Sequence, residues 1–309
     1  MSNDNFIIEN GVLVKYTGTD ENVVIPDGIT SIGDNAFGWL ENLESVIIPD
    51  GVTHIGKDAF YNCMNLSNVA IPESVTSIGS SAFYNCASLT NLIIPDGVTS
   101  IGQAAFKYCK NLTSLIIPNG VTKIENGMFY GCKSLKSVNI PDGVTAIGRE
   151  AFYSCESLEK IIIPDGVTKI DAFAFDMCTS LISIIVPDSV TEIKPYAFYE
   201  CNLQYLLAVN CSIKDLKDQK VMFPATIAFL ENSERYSDEL AVKEYKKYAF
   251  AQKRKVLPEI FKKDLVAGLA VYAEAGKITL KNIDEDFLTP AQAANATQCV
   301  AYLQEWKNK

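Results

Sequence analysis

The stretch that decides the fold runs Val46-Ile47-Ile48-Pro49-Asp50-Gly51-Val52-Thr53. Its proline recurs every 23 residues, and close copies of the flanking residues recur with it. Eight of the 12 prolines in the chain stand on this grid: Pro26, Pro49, Pro72, Pro95, Pro118, Pro141, Pro164 and Pro187. A fixed period in the twenties is typical of a solenoid, in which each repeat contacts only its neighbours.

Within one repeat, the spacing of the apolar residues predicts where each strand lies. Leu43, Val46 and Ile48 have the spacing L-x-x-L-x-L, which predicts a strand whose three leucine-type side chains point inward. Pro49 ends this strand because proline fixes φ and lacks an N–H. Asp50 and Gly51 then supply turn chemistry, an Asx side chain followed by a permissive backbone.

The second half of the repeat returns the chain to the next strand. Val52 and Ile55 are expected to point inward on a second short strand, and Gly56 is expected to allow a tight bend. The spacing of Phe60 and Cys63 favours a helical or 3₁₀ segment on the convex side. Because one repeat cannot bury its own apolar residues, the core is expected to form by stacking.

These residues resemble the BspA-type leucine-rich repeats of bacterial and protozoan proteins, and the resemblance covers residues 21 to about 208. It implies a solenoid that is used for protein interaction, often at the cell surface. The fold class predicted is therefore an α/β repeat solenoid, a right-handed leucine-rich-repeat coil with a parallel β-sheet.

Three segments are predicted from where the period begins and ends. Residues 1–20 contain Asn10-Gly11 between two apolar runs and should form an N-terminal β-hairpin cap. Residues 21–210 hold eight 23-residue repeats and a partial ninth, and residues 210–222 form a polar joint. Residues 211–309 have helical patterns and should form an all-α C-terminal capping domain. Within it, the stretch from Leu265–Gly276 through 295–305 is distantly similar to ankyrin-like helix pairs.

The predicted helices of this domain follow from their breakers and caps. One runs from Phe223 to about Leu230, and a second from Ser237 to about Lys255, interrupted by Pro258. Asp264 is expected to cap a helix over residues 265–275. Further helices are expected over residues 279–287 and 289–306.

Charge and hydropathy limit the classes of partner. Residues 1–210 carry 11 Lys/Arg and 23 Asp/Glu, a net charge of 11 − 23 = −12, so we expect no nucleic-acid partner. No apolar run approaches the ~18 residues of a membrane span, and we expect no membrane insertion. The N-terminus shows no basic n-region or apolar h-region, which slightly favours the cytoplasm, whereas the family resemblance implies a cell-surface or secreted protein.

Seven of the nine cysteines recur on the grid, from Cys63 to Cys201. Adjacent coils lie about 4.8 Å apart with parallel side-chain vectors, whereas a disulfide needs Cβ atoms near 3.8 Å with converging vectors. We therefore expect a column of buried thiols that pack as small hydrophobes.

Residues that could carry chemistry are few. The single histidine, His54, stands at a variable, solvent-facing position, so no catalytic triad and no multi-His metal site is predicted. We expect no enzyme activity, no cofactor and no metal ligands. One carboxylate column, represented by Asp50, has two interpretations: each side chain caps its own turn, or the column binds Ca²⁺.

The candidate partner-binding residues lie in two columns. The first faces outward from the predicted strand and comprises Ile47, Ala70, Ile93, Ile116, Asn139, Ile162 and Ile185, with Val24 before them. The second directly follows the repeated phenylalanine and comprises Tyr61, Tyr84, Tyr130 and Tyr153, with Tyr199 after them. The alternatives are β propensity with ladder stacking for the first column and half-burial on the neighbouring coil for the second. Apolar surface patches and tyrosines also favour partner binding.

Three hypotheses of function follow. The first is a non-enzymatic module that binds a protein or peptide on the exposed sheet face. The second is a cell-surface adhesin for a host or matrix protein, and the third is a cytoplasmic scaffold whose helical tail binds the partner. A basic run from Lys243 to Lys263 also predicts weak, salt-sensitive self-association with the acidic array.

Overall fold

The computed structural model describes residues 5–208, 216, 222–236 and 239–308. The chain forms two compact units, Met1–Asn202 and Leu203–Lys309. Of the predicted joint at 210–222, the structure describes only Leu216 and Met222. The predicted domain boundary at 210/211 also lies outside the described residues. The domain limits therefore stay a prediction.

The first unit begins with the predicted β-hairpin. Strands β1 (Phe6–Glu9) and β2 (Val12–Tyr16) pair in antiparallel register, with Asn10 and Gly11 at φ 50° and 80° in the connection. β2 then pairs in parallel with β4 (Ser31–Ile32), a strand of the first coil. The hairpin is thus the cap of the solenoid that the sequence predicts.

Each 23-residue repeat forms one coil of a parallel β-solenoid, and most coils contribute two short strands. The first sheet contains β3 (Asn22–Val24), β5 (Ser45–Ile47), β7 (Asn68–Ala70), β10 (Ser114–Ile116), β11 (Ser137–Asn139) and β14 (Ser183–Val186). The second sheet contains β4 (Ser31–Ile32), β6 (His54–Ile55), β8 (Ser77–Ile78), β9 (Ser100–Ile101), β12 (Ala146–Ile147), β13 (Lys169–Ile170) and β15 (Glu192–Ile193). Residues one period apart are paired, as Val46 is with Val69 and Ile55 with Ile78. The ladder of the first sheet is interrupted over residues 92–94 and 160–163.

The third side of each coil, which we name the turn segment, differs from the helical or 3₁₀ segment that the spacing favours. Its N–H groups alternate in their partners: Phe60 N–H donates to Ala82 O of the next coil at 2.8 Å, whereas Tyr61 N–H donates to Asp58 O at 3.0 Å. The alternation arises because Asp58 and Asn62 are left-handed, at φ 53° and 58°. A helix would use all of these donors locally and leave the next coil unbound.

Left-handed residues recur at both of these positions in every coil. They comprise Asn35, Trp39, Asp58, Asn62, Ser81, Asn85, Ala104, Tyr108, Gly127, Gly131, Glu150, Ser154, Phe173, Met177, Tyr196 and Glu200. Each non-glycine member costs roughly 1–2 kcal/mol of backbone strain, and the cross-coil hydrogen bonds that it makes possible offset this cost.

A stack of buried phenylalanine rings fills the centre of the solenoid. The rings lie 5.0–5.8 Å apart between centroids, with interplanar angles of 3–15°. The stack comprises Phe37, Phe60, Phe83, Phe106, Phe129, Phe152, Phe175 and Phe198. One missing ring would leave a cavity bounded by two others.

The cysteine column lies beside this stack as free thiols, buried from Cys63 to Cys178 and half-buried at Cys201. Each thiol donates to the carbonyl of a phenylalanine on the preceding coil, as Cys86 Sγ does to Phe60 O at 3.2 Å and Cys109 Sγ to Phe83 O at 3.2 Å. Burial raises the pKa of the Cys109 thiol to about 12, so the thiolate is not formed at neutral pH. The column is therefore core, as the sequence predicts.

Gly56 and its equivalents serve close approach between coils, and the expected tight bend is not the reason for them. Neither Gly56 nor Gly79 has a positive φ. A Cβ on Gly79 would lie 2.6 Å from the carbonyl carbon of Gly56 on the preceding coil. The absence of a side chain at Gly79 permits this approach, whereas Glu125, Asp171 and Lys194 hold the same position in three later coils.

Gly79→Ala should therefore lower the free energy of unfolding by about 1–3 kcal/mol, because the added methyl overlaps backbone that cannot move aside. Gly143→Ala is the matched control, since its nearest neighbour would lie at 3.7 Å. The control should leave stability unchanged or raise it by up to about 1 kcal/mol. Urea denaturation followed by circular dichroism measures both, and equal effects of the two variants would contradict the close-approach role.

The second unit is helical after strand β16 (Tyr205–Ala208). Its described α-helices are α1 (Met222–Glu231), α2 (Glu239–Ala251), α3 (Lys253–Lys262), α4 (Val266–Glu274), α5 (Thr289–Ala293) and α6 (Thr297–Lys307). A 3₁₀ turn covers Ser233–Arg235 and a π-helical segment covers Ile283–Leu288. None of these helices combines the length and hydropathy that a transmembrane span requires.

Several helix limits differ from the sequence prediction. The long predicted helix ends at Ala251, and Pro258 lies inside α3 instead of ending a helix. The predicted last helix is divided into α5 and α6 by Asn295, which is left-handed at φ 54°. The predicted start at Ser237 lies outside the described residues.

Asp264 caps α6 and not the helix that follows it in the chain. Its carboxylate accepts from the N–H of Gln298 at 2.9 Å and of Cys299 at 2.8 Å. These bonds lower the pKa of the Asp264 carboxyl. The side chain thus holds the first turn of α6 against the α3–α4 connection.

Asp264→Ala should lower the melting temperature of the protein at pH 7, because α6 loses its N-terminal acceptor. A lowered pKa in the folded state means that the cap stabilises above the ordinary aspartate pKa and is lost as pH falls. The melting difference between wild type and variant should therefore shrink below about pH 4. Asp284→Ala, which removes an exposed ion pair with Lys307, is the control. A difference that is independent of pH would contradict capping by the charged carboxylate.

Candidate functional site

The first candidate surface is the outward column of the first sheet, here named the apolar stripe. Its members are Val24, Ile47, Ala70, Ile93, Ile116, Asn139, Ile162 and Ile185, and all are exposed. The exposed fraction of the isoleucines ranges from 51% at Ile47 to 84% at Ile93. The inward neighbours, such as Val46 and Ile48, are buried. The period-2 alternation of the strand therefore separates core from surface here.

The stripe contains two isoleucine pairs separated by one polar residue. Ile93 and Ile116 lie on consecutive coils, and so do Ile162 and Ile185, with Asn139 between the pairs. Ile182 is also exposed, at 53%, close in sequence to Ile185. Ile182 lies outside the outward column of the strand, and for that reason the sequence prediction omitted it.

The interruptions of the first-sheet ladder fall at two residues of the stripe. Ile93 and Ile162 belong to the coils without regular pairing, and Asn91 makes only an isolated bridge to Ser114. Backbone groups near these isoleucines therefore lack the ladder bonds that Ile47 and Asn139 have on their coils. Small polar side chains run beside the stripe, as Ser45, Asn68 and Ser114 do.

The second candidate surface is the tyrosine column on the turn segment. Tyr61 and Tyr84 stack with centroids 4.5 Å apart, and Tyr130 and Tyr153 stack at 4.6 Å. Tyr108, one position later in its repeat, bridges the two pairs through edge contacts at 5.5 and 5.3 Å. The column is therefore one continuous series of rings.

The rings of this column are half-buried and occupy each other's faces. Lys107 stands where the two adjacent coils have Tyr84 and Tyr130, and its Nζ lies 3.9 Å from the centroid of Tyr130. Burial raises the pKa of Tyr130 to about 12 and also raises the pKa of Tyr84. The phenols are thus neutral hydrogen-bonding groups. Their ring edges and hydroxyl groups are the parts that a partner could contact.

Tyr108 explains a glycine on the next coil. A Cβ on Gly131 would lie 2.6 Å from the Tyr108 ring. The left-handed backbone of Tyr108, at φ 63°, directs the side chain into this space. The sequence reading omitted Tyr108 from the column because the residue lies off the tyrosine register.

Asp176 interrupts the tyrosine column after Tyr153. Its side chain is buried and one carboxylate oxygen has no hydrogen-bond partner. Burial, with a contribution from the nearby Glu200 charge, raises the pKa of the Asp176 carboxyl to about 6. A tyrosine or other neutral side chain would not carry this desolvation cost.

Other candidate groups do not form a site. His54 is exposed, and its Nδ1 lies 2.6 Å from Thr53 Oγ1. In the second coil Gly51 N–H donates to Ser74 Oγ at 3.1 Å and Val52 N–H donates to Pro49 O at 3.4 Å, so Asp50 caps neither of these turn N–H groups, contrary to the turn-capping interpretation. Among the described residues, no group of three or more His, Cys, Asp or Glu could hold a metal ion.

The basic run of the helical unit is largely neutralised within the unit. Five of its members form ion pairs: Lys246, Lys247, Lys253, Lys262 and Lys263. The partners are Glu274, Glu244, Asp286, Glu259 and Glu231. The electrostatic drive for self-association with the acidic array is therefore weaker than the sequence suggests, and that association stays a prediction.

Asp176→Asn should raise the stability of the protein above pH 6. A raised pKa in the folded state means that wild-type stability increases as pH falls through about 6 and is lost as pH rises. The variant has no such titration, so its advantage should shrink towards pH 4. Urea denaturation at pH 5 and pH 8 measures this, with the exposed Asp142→Asn as control. An advantage that is equal at both pH values would contradict the buried-carboxylate explanation.

Comparison with protein-family models gives one match, a BspA type leucine rich repeat region in six copies, over residues 14–113 and 99–221. No curated protein matches the chain. Among solved structures, a leucine rich cell surface protein from Faecalibacterium prausnitzii A2-165 is 32% identical. That alignment covers 67% of this chain and 75% of that one, with a TM-score of 0.48.

Two further solved structures are similar to the solenoid. A leucine-rich repeat protein from Bacteroides ovatus ATCC 8483 is 30% identical, with 64% of this chain and 63% of that one covered and a TM-score of 0.51. A T. pallidum leucine rich repeat protein is 23% identical, with 70% and 92% covered and a TM-score of 0.53, and shows the fold alone. The matched family model spans more than half of the chain and falls on the repeats described above. The chain therefore belongs to the BspA-type leucine-rich repeat family.

Proposed function

We propose that this protein is a non-enzymatic module that binds a protein or peptide on the apolar stripe of the first sheet. Leucine-rich repeats of its family are generally protein-interaction modules. The observation that carries the proposal is the exposure of Ile93, Ile116, Ile162 and Ile185 in one column, at 60–84%. An exposed apolar patch of this extent is typical of an interaction site.

The energetics favour these four isoleucines as the main contacts. Complete burial of an isoleucine side chain contributes about 1.5–3 kcal/mol, and most of each side chain is still accessible to a partner. The small polar residues beside the stripe can supply the hydrogen bonds of a polar rim. The column beside the stripe from Asn22 to Ser183 contains no carboxylate and one cation, Lys160, so an apolar segment meets no buried anion there.

A partner in extended conformation would suit this surface. The irregular pairing at Ile93 and Ile162 leaves backbone groups near these two isoleucines without ladder bonds. Hydrogen bonds to the main chain of the partner would contribute affinity. The column of exposed isoleucines would fix the register of the partner along the sheet. The edges and hydroxyls of Tyr61, Tyr84, Tyr130 and Tyr153 are a second, smaller contact surface in this proposal.

A second candidate function is adhesion at a cell surface. The observation that favours it is the 32% sequence identity with the F. prausnitzii protein described as a cell surface protein. Binding on the apolar stripe is compatible with this role. Antibody labelling of intact cells of the source organism tests it, and a signal that appears only after lysis would contradict surface exposure.

The double substitution Ile93→Lys and Ile116→Lys should reduce capture of partner proteins by at least tenfold and leave the fold intact, because two buried ammonium groups cannot be solvated in an apolar interface. The measurement is quantitative mass spectrometry of proteins retained by the immobilised full chain. Circular dichroism and thermal melting confirm folding.

Ser100→Lys is the matched control, since it adds the same charge at an exposed position of the second sheet. The proposal requires that a protein retained by the wild type and by Ser100→Lys is lost from the double variant. A photo-crosslinker placed at Asn139 should label that same protein. Equal retention by all three chains would rule out the stripe as the binding surface.

A further inference from the structure

A groove in the helical unit lies on a part of the molecule that the proposed function does not use. It has a volume of about 740 Å³ and lies between α3, the π-helical segment and α5. This size falls within the range of about 300–1,000 Å³ that is typical of ligand pockets. All of its lining residues belong to the described part of the chain.

The floor of the groove and part of its rim are apolar. Leu257 and Phe261 of α3 are buried and form its floor. Pro258, Ala293 and Ala294 are exposed and form its rim. Positions 254, 257, 258 and 261 share one face of α3 because residues three and four apart are neighbours on a helix. A partner could thus bury an apolar side chain here without displacing any element.

The charges around the groove are distributed unequally. Lys253 is neutralised by Asp286, with Nζ and Oδ2 2.6 Å apart, and also lies over the ring of Phe287. Arg254 on α3 and Glu285 on the π-helical segment also line the groove. Neither has an ion-pair or hydrogen-bond partner among the described residues. One wall therefore offers an unpaired cation and the opposite wall an unpaired anion.

Pro258 and Pro290 each remove a helical N–H donor from the backbone beside the groove. Pro258 has no N–H, so the carbonyl of Arg254, four residues earlier, receives no helical hydrogen bond from it. Pro290 likewise withholds an N–H from the preceding turn, which carries Glu285 and Asp286. Both prolines line the groove, as do the four charged residues Lys253, Arg254, Glu285 and Asp286. Acceptors left in this way favour a ligand that brings N–H donors.

We propose that this groove binds a peptide segment that places an apolar side chain against Leu257 and Phe261 and a carboxylate against Arg254. A peptide supplies the main-chain N–H donors that the proline-released carbonyls lack. An Arg–carboxylate pair is a strong, often bidentate contact. Glu285 on the opposite wall disfavours polyanions such as nucleic acid. The site is separate from the apolar stripe and extends the protein's interaction capacity beyond it.

The test uses a random peptide display library as the probe and the immobilised full chain as the target. Arg254→Glu reverses the charge at the groove, and Ala293→Trp fills the groove from an exposed helix position. Lys255→Glu is the matched control, because it makes the same charge change at the adjacent exposed residue that does not line the groove. The double variant Ile93→Lys, Ile116→Lys serves as a counter-target that removes peptides bound to the stripe.

The expected result is a set of peptides that share an apolar residue near Asp or Glu. Their affinity should fall at least tenfold on Arg254→Glu and on Ala293→Trp and stay unchanged on Lys255→Glu. Replacing the peptide's acid by lysine should restore binding to Arg254→Glu. The proposal is overturned if no peptide is enriched, if the enriched peptides lack an acid, or if they bind all variants equally. Loss of stripe binding alone would leave these affinities unchanged, so the two proposals fail independently.

Discussion

Backbone hydrogen bonding from one coil to the next is the interaction on which the solenoid depends. The N–H groups of Asp58, Phe60 and Asn62 all donate to carbonyls of the following coil, and the same three positions do so along the array. This ladder continues where the first sheet is interrupted, so it holds the coils in register at every step. The left-handed residues of the turn segment make these hydrogen bonds possible, because their backbone conformation points alternate N–H groups towards the next coil.

This ladder also determines what lies inside and what lies outside. Once the coils are fixed one period apart, each column of the sequence becomes a column of the structure. The phenylalanine rings stack, the thiols donate to phenylalanine carbonyls, and the isoleucines of the apolar stripe project into solvent. Departures from the repeat therefore stand out against their neighbours. Tyr108 and Asp176 are two such departures, one adding a ring to a surface and the other placing a carboxylate where it is poorly solvated.

The helical unit follows different rules, because no period prescribes its contacts. Its ion pairs and caps join residues that are far apart in the chain, such as Lys253 with Asp286 and Asp264 with Cys299. Five of the eight basic residues between Lys243 and Lys263 form ion pairs. The groove of this unit is lined by one unpaired cation, one unpaired anion and two prolines, and the proposed peptide site rests on this combination.

The sequence by itself determined the period, the hairpin cap, the inward and outward faces of the strands and the buried thiol column. Each follows from local rules, since alternation along a strand and a fixed repeat length need no knowledge of distant residues. Only the tertiary structure decided the form of the turn segment, the role of Gly79 and the partner of Asp264. The reason is the same in all three cases: the deciding contact is made with another coil or helix, at a distance that no local pattern encodes. For the candidate sites, the outward position of Ile93 was predictable, whereas the groove around Arg254 depends on α3, the π-helical segment and α5 meeting in space.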